Sequence, residues 1–182
     1  MFFMPKTVPL SDGRTAFLRF PDPVRDAEPA LEALKTACGE TPYLAKTPEE
    51  VTETPEQEQA FLLAMNQSPT DLLILAEVEG RLAGNASLSI RRNRREAHRA
   101  SLGIALCREF WGLGLGTAML EGLLGVARQK GLRFVELEVA EDNLRAVALY
   151  ERMGFSTLCR LPQALLREDG ASPALLTMRK EL

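Results

Sequence analysis

The chain has 182 residues, 46% of them hydrophobic and 26% charged, which suits one globular domain burying roughly 70% of its unfolded surface. A net charge of −3 and a pI near 5.4 argue against a protein that holds polyphosphate or nucleic acid by bulk positive charge. No apolar run approaches the roughly 18 residues of a membrane span. The segment Met1 to Lys6 lacks the basic-then-apolar pattern of a secretory leader. Cys38, Cys107 and Cys159 lie far apart, with His98 as the one histidine, so neither a metal site nor a disulfide framework is expected. Reduced thiols and a cytoplasmic location follow.

Arg14 to Phe20 alternates loosely and reads as a strand. Pro21-Asp22-Pro23 ends it, with Asp22 placed to cap a helix and Pro23 at its first position. That helix carries Leu31, Leu34 and Ala37 on one face and stops at Gly39. Thr41-Pro42-Tyr43-Leu44 opens a long polar loop containing Pro48. Thr54-Pro55-Glu56-Gln57 then reads as a capping box and starts a helix with Phe61, Leu62 and Met65 on its apolar side.

Asp71 to Val78 and Arg81 to Ile90 are two strands joined by the tight Glu79-Gly80 turn. After the charged turn Arg91 to Glu96, a third strand runs from His98 to Cys107. Along it Ala100, Leu102, Ile104 and Leu106 alternate with His98, Ser101 and Gly103. A helix follows from about Gly114 to Lys130, burying Met119, Leu120, Leu123, Leu124 and Ala127 and capped by Gly131. Leu132 to Val139 is a strand, and Asn143 to Met153 is a helix ended by Gly154. Phe155 to Leu161 and Ala174 to Arg179 close the chain as two strands, joined through Pro162 and the Glu168-Asp169-Gly170 turn. The expected architecture is an α/β (α+β) domain over 1–182, a mixed sheet with helices on its faces.

Between the third strand and the long helix stands Trp111-Gly112-Leu113-Gly114-Leu115-Gly116-Thr117. Glycine removes the Cβ atoms that would keep an anion from backbone N–H groups. The helix N-terminus adds free donors and partial positive charge. Such a turn can bind phosphate or pyrophosphate without lysine or arginine, and Thr117 adds a hydroxyl. A P-loop would need a lysine here, and the dinucleotide fingerprint needs a different glycine spacing. A tight connection that binds nothing is the other reading of the turn alone.

At this turn the chain resembles the GCN5-related N-acetyltransferase (GNAT) superfamily. Gly114 and Gly116 fill the two glycine positions of that family's signature, whereas Trp111 stands where the family has Gln or Arg. Downstream, Leu137-Glu138-Val139, Asn143, Ala146, Leu149-Tyr150-Glu151-Arg152 and Met153-Gly154-Phe155 look like the family's second half. Two motifs in the right order are far more specific than either alone. The resemblance implies a mostly antiparallel sheet of six to seven strands with about four helices. It also implies a splayed central strand pair, an acetyl-CoA-binding core over about 72–160, and transfer of an acetyl group to a primary amine.

On that resemblance, backbone groups of Ile104, Leu106 and Cys107 would pair with the pantetheine arm like an added strand. The backbone of Trp111, Gly112, Leu113, Gly114, Leu115, Gly116 and Thr117 would cradle the pyrophosphate. Asn143 would bond the pantetheine amide or serve as a helix cap. Tyr150, two helical turns on, would donate a proton to the leaving thiolate as the catalytic residue. Glu138, His98, Ser101 and Glu96 all remain open as the general base. No activated Cys or Ser is recognisable, so direct attack by the amine is expected. The acceptor would be set by the first helices, the loop around Thr41 to Thr54 and the stretch Gln163 to Ser172. The arginines at 91, 92, 94, 95 and 99 read first as a solvated turn. A homodimer through the last strands is a further expectation, as is the absence of nucleic-acid and membrane partners. The rival reading is a non-catalytic acyl-CoA sensor on the same fold.

Overall fold

In the computed structural model, which describes residues 3–182, the apolar alternation of the sequence becomes one eight-stranded sheet. The chain runs β1 (Lys6–Pro9), β2 (Thr15–Arg19), α1 (Pro23–Glu40), α2 (Pro55–Gln67), β3 (Asp71–Val78), β4 (Arg81–Ile90) and β5 (Arg99–Leu106). It continues through α3 (Leu115–Gln129), β6 (Phe134–Ala140), α4 (Leu144–Arg152), β7 (Ser156–Leu161) and β8 (Leu175–Glu181). The sheet order is β1-β2-β3-β4-β5-β6-β8-β7, so β8 inserts between β6 and β7. Every adjacent pair is antiparallel except β5 and β6.

β1 adds one strand to the expected count; it is four residues long, ends in proline and lies at the sheet edge, where a missing N–H is tolerated. The Glu79-Gly80 turn forms as expected, with positive φ at both residues (50° and 79°), as a type I′ hairpin needs. Asp22 and Thr54 both cap their helices, Asp22 accepting from the N–H groups of Val24 and Arg25 and Thr54 from that of Gln57.

The two N-terminal helices bury only part of the faces the sequence suggested, Ala37 in α1 and Leu62 in α2. α1 buries Asp26, Ala27, Ala30, Ala37 and Cys38, leaving Leu31 and Leu34 half-buried. Small residues let α1 come close to β4, β5 and α2, and the leucines fall to the rim. In α2 only Leu62 is fully buried, while Phe61 is 48% exposed.

Asp26 has a structural task. Its carboxylate accepts two hydrogen bonds from the Arg19 guanidinium at 2.5 and 2.9 Å and one from the Asp22 N–H at 2.7 Å. Arg19 also donates to Glu77 at 2.7 and 3.0 Å, so β2, β3 and the head of α1 are tied together through nearly dry charges. Burial by itself would raise the Asp26 carboxyl, but Arg19 and the Asp22 N–H hold it below the ordinary carboxylate value.

α3 buries Leu115, Met119, Leu120, Leu123, Leu124, Val126 and Ala127 against β4 and β5. This fixes the start of α3 at the end of β5.

Candidate active site

β5 and β6 pair over three positions only: Arg99 with Phe134, Ala100 with Val135 and Ser101 with Glu136. Beyond them the strands part. The outer edge of β5 is paired with β4 as far as Leu106, and the outer edge of β6 with β8 along its whole length. The facing edges at Leu102–Leu106 and Leu137–Ala140 have no strand partner, and a cleft of about 710 Å³ opens between them. An extended polar chain entering it would meet the backbone donors and acceptors of a strand edge.

The turn after β5 forms the next part of the wall. Gly112 and Gly114 have φ of 77° and 86°, the left-handed region that L side chains rarely adopt. A Cβ built on either meets nothing within 4 Å, so these glycines are demanded by the chain path and the space beside them is open. Gly114 is the N-cap of α3 and offers no side-chain cap. The first intrahelical bond is Ala118 N–H to Gly114 O at 3.1 Å, which leaves the N–H groups of Leu115, Gly116 and Thr117 as first-turn donors. An anion cradle of this kind fits a pyrophosphate.

Trp111 ties this turn to the strand: its indole N–H donates to Leu106 O at 2.7 Å. The carbonyl of Leu106 is therefore engaged inside the protein. Ile104, Leu106, Trp111, Gly112, Gly114, Gly116, Thr117, Asn143 and Tyr150 all line the cleft. Cys107, Leu113 and Leu115 do not. Cys107 is buried, its N–H bonded to Ala83 O and its thiol to Ala33 O, and burial pushes that thiol up. Leu113 O accepts from Ser11 N–H, and the Leu115 side chain is fully buried.

Asn143 is the N-cap of α4, its side-chain oxygen accepting from Ala146 N–H at 3.3 Å. Tyr150 is 6% exposed and stacks edge-on against Phe155 with ring centroids 5.9 Å apart. Burial pushes its hydroxyl up to about 12, so the phenol is protonated at any physiological pH.

The four candidate bases separate. Glu138 lines the cleft and has no hydrogen-bond or ion-pair partner among the described residues. Ser101 lies in a smaller cavity of about 320 Å³ that meets the cleft at Leu102 and Glu138. Glu96 is engaged by Arg99 and Asn93, and His98 is exposed beside Phe134.

The opposite rim is built by two loops. Tyr43 and Leu44, from the loop after α1, and Leu165, from the loop between β7 and β8, line the cleft. The Tyr43 hydroxyl donates to Asp142 O at 3.3 Å and its ring lies under the Arg167 guanidinium at 5.0 Å. Arg167 in turn donates twice to the Asp142 carboxylate, at 2.6 and 2.9 Å. Both loops are thus held to the head of α4. Of the arginine turn, Arg91, Arg92, Arg94 and Arg95 are exposed and Arg91 borders the smaller cavity. Arg145, which the sequence did not single out, also lines the cleft. Among the described residues, no group of three or more His, Cys, Asp or Glu stands placed to hold a metal ion, and no helix is long and apolar enough to cross a membrane.

Residues 33–155 match the model of the acetyltransferase (GNAT) family. A stretch of 45 residues is 56% identical to the mycothiol acetyltransferase of Geodermatophilus obscurus, covering 25% of this chain and 15% of that protein. A stretch of 73 residues is 33% identical to the [ribosomal protein bS18]-alanine N-acetyltransferase of Escherichia coli K12, covering 40% of this chain and 49% of that protein. The chain thus spans less than half the length of these curated relatives in the matched stretches. The crystal structure of an acetyltransferase of the GNAT family from Streptococcus pneumoniae superposes with a TM-score of 0.86 at 26% identity, over 92% of this chain and 99% of that one.

Proposed function

The chain belongs to the acetyltransferase (GNAT) family, and from that premise we propose that it transfers the acetyl group of acetyl-CoA to a primary amine by direct attack. The observation that carries this reading is the parted seam of β5 and β6 opening beside an uncapped, glycine-lined helix start. It supplies an edge for the amide-bearing pantetheine arm and a cradle for the pyrophosphate in one continuous cleft. The free edge of β5 at Ile104 would pair with the arm, Gly112 to Thr117 would hold the phosphates, and the Asn143 amide, besides capping α4, would reach the arm.

In the reaction the amine nitrogen forms a bond to the thioester carbonyl carbon and the carbon–sulfur bond breaks. Tyr150, kept neutral by burial, donates a hydrogen bond or proton to the departing sulfur. The proton lost by the amine passes to Glu138, the candidate base with a free carboxylate in the cleft. The acceptor enters from the rim formed by Tyr43, Leu44 and Leu165. Because one similar protein is named for acetylating the alanine of a ribosomal protein, peptide α-amines belong first in the panel of acceptors. We read residues 1–182 as one cytoplasmic domain whose partners are neither nucleic acid nor membrane. Edge strand β7, exposed at all six positions and carrying Leu158 and Leu161, is the surface for a homodimer.

The test incubates the protein with acetyl-CoA and a panel of peptides, amino acids and polyamines and reads free thiol. Acceptor-dependent thiol release supports the transferase. Tight acetyl-CoA binding with no thiol release across the panel favours a sensor.

A further inference from the structure

Two guanidinium groups lie over the Trp111 ring. The Arg108 Cζ lies 5.6 Å from the ring centroid and that of Arg145 lies 4.6 Å from it. The two arginines differ in what else they touch. Arg108 is engaged with the end of α1: its guanidinium donates to Glu40 O, and its backbone N–H to the Glu40 carboxylate at 2.6 Å. Arg145 has no hydrogen bond or ion pair among the described residues, yet it lines the cleft together with Gly112, Gly114 and Gly116. The only influence shifting its acidity is burial, which lowers it; no carboxylate raises it. Arg145 is exposed, so its five N–H donors face the water of the cleft and are free to take an anion that enters it. A guanidinium over an indole face is attracted to the ring without using up its N–H donors. Trp111 is itself anchored, through its bond to Leu106 O, so the platform is rigid.

We infer that Arg145, seated on Trp111, is a phosphate ligand of the bound coenzyme and supplies from α4 the cation that the glycine turn itself lacks. This rests on the acetyl-CoA reading above. The shared chemistry is a phosphate oxygen, and coenzyme A offers two kinds: the pyrophosphate and the 3′-phosphate on the ribose. The backbone amides of the turn and the Arg145 fork would then hold the phosphates of one coenzyme from two elements, α3 and α4.

The experiment measures the Kd of coenzyme A and of 3′-dephospho-coenzyme A for the full chain and for Arg145→Ala and Arg145→Lys. The chain has one tryptophan, so quenching of Trp111 fluorescence reads the site directly, with calorimetry as the second measurement. Arg145→Ala should weaken coenzyme A by about 10- to 100-fold, the worth of a charge-assisted hydrogen bond. An equal loss with the dephospho compound assigns the contact to the pyrophosphate; a loss confined to coenzyme A assigns it to the 3′-phosphate. Arg145→Lys should fall between, since ammonium keeps the charge but not the stacked fork. A Kd for Arg145→Ala within twofold of the parent for both ligands overturns the assignment while leaving the coenzyme site standing. Failure of the unaltered chain to bind coenzyme A overturns both.

Discussion

Tyr150→Phe removes one oxygen from a packed side chain, and the structure sets what that should cost. The phenol is 6% exposed, its ring is held by Phe155, and its hydroxyl has no hydrogen-bond partner among the described residues. The variant should therefore fold with a stability within about 0.5 kcal/mol of the parent. If the hydroxyl donates to the departing sulfur, its loss removes a hydrogen bond to a charged group, about 1.5–3 kcal/mol of transition-state stabilisation. That corresponds to a fall in kcat of about 10- to 100-fold. Acetyl-CoA affinity should hardly change, because the bond forms as the sulfur becomes anionic. The assay is thiol release at saturating acetyl-CoA, paired with a Kd for the donor. A kcat within twofold of the parent would remove Tyr150 from the chemistry. A weakened Kd with unchanged kcat would make it a binding residue. Acidity supplies a second check. The hydroxyl is pushed up to about 12, above the value near 10 of an unfolded tyrosine. The folded state therefore holds this proton more tightly. The associated stability is complete below about pH 10 and declines as pH rises towards 12, by about 1.4 kcal/mol per pH unit. Tyr150→Phe should flatten that decline in chemical denaturation above pH 10.

Three other substitutions probe the remaining parts. Gly114→Ala forces a Cβ onto a φ of 86°, which should cost about 1–2 kcal/mol of stability and weaken coenzyme A, seen by urea denaturation and calorimetry. Glu138→Gln keeps the shape but removes the proton acceptor; turnover at neutral pH should drop at least about tenfold with donor affinity retained, and full activity would return the base to solvent. Asp26→Ala leaves Arg19 buried with one of its two carboxylate partners gone and should destabilise by about 3 kcal/mol or more in urea, without altering donor affinity relative to folded protein. Because the Asp26 carboxyl is held below the usual value, the stability it contributes is present above about pH 4 and lost as pH falls through its folded value.

Local chemistry that repeats at a fixed spacing was legible. The Glu79-Gly80 turn, the Asp22 and Thr54 caps and the buried stripe of α3 from Met119 to Ala127 all formed where the sequence places them. So did the glycine turn at the head of α3, because a left-handed N-cap without a side chain has a clear composition. What depends on distance along the chain was not legible. β1 is too short and too near a proline to stand out, and it exists because β2 offers it an edge. The insertion of β8 between β6 and β7 follows from tertiary pairing, which no local pattern encodes. The reading of α1 holds at Ala37 and not at Leu31 and Leu34, because the helix packs through alanines and its largest apolar residues are not its most buried ones. In the cleft, Trp111 and Arg145 come from separate motifs and meet only through folding, so the arginine gave no signal beside the stronger Asn143 and Tyr150.

The brief pairing of β5 with β6 has a mechanical consequence. The sheet consists of two leaves, β1 to β5 and β6 to β8, sharing a spine of three residue pairs. At that spine the Glu136 carboxylate accepts from Arg99 of one leaf at 3.4 Å and from Arg179 of the other at 2.5 Å, like a pin through a hinge. The two leaves are therefore cross-linked by side chains at the narrow end of the seam, away from the glycine turn. None of Arg99, Glu136 and Arg179 lines the larger cleft, so Glu136→Gln would loosen the pin while leaving every residue of that lining unaltered.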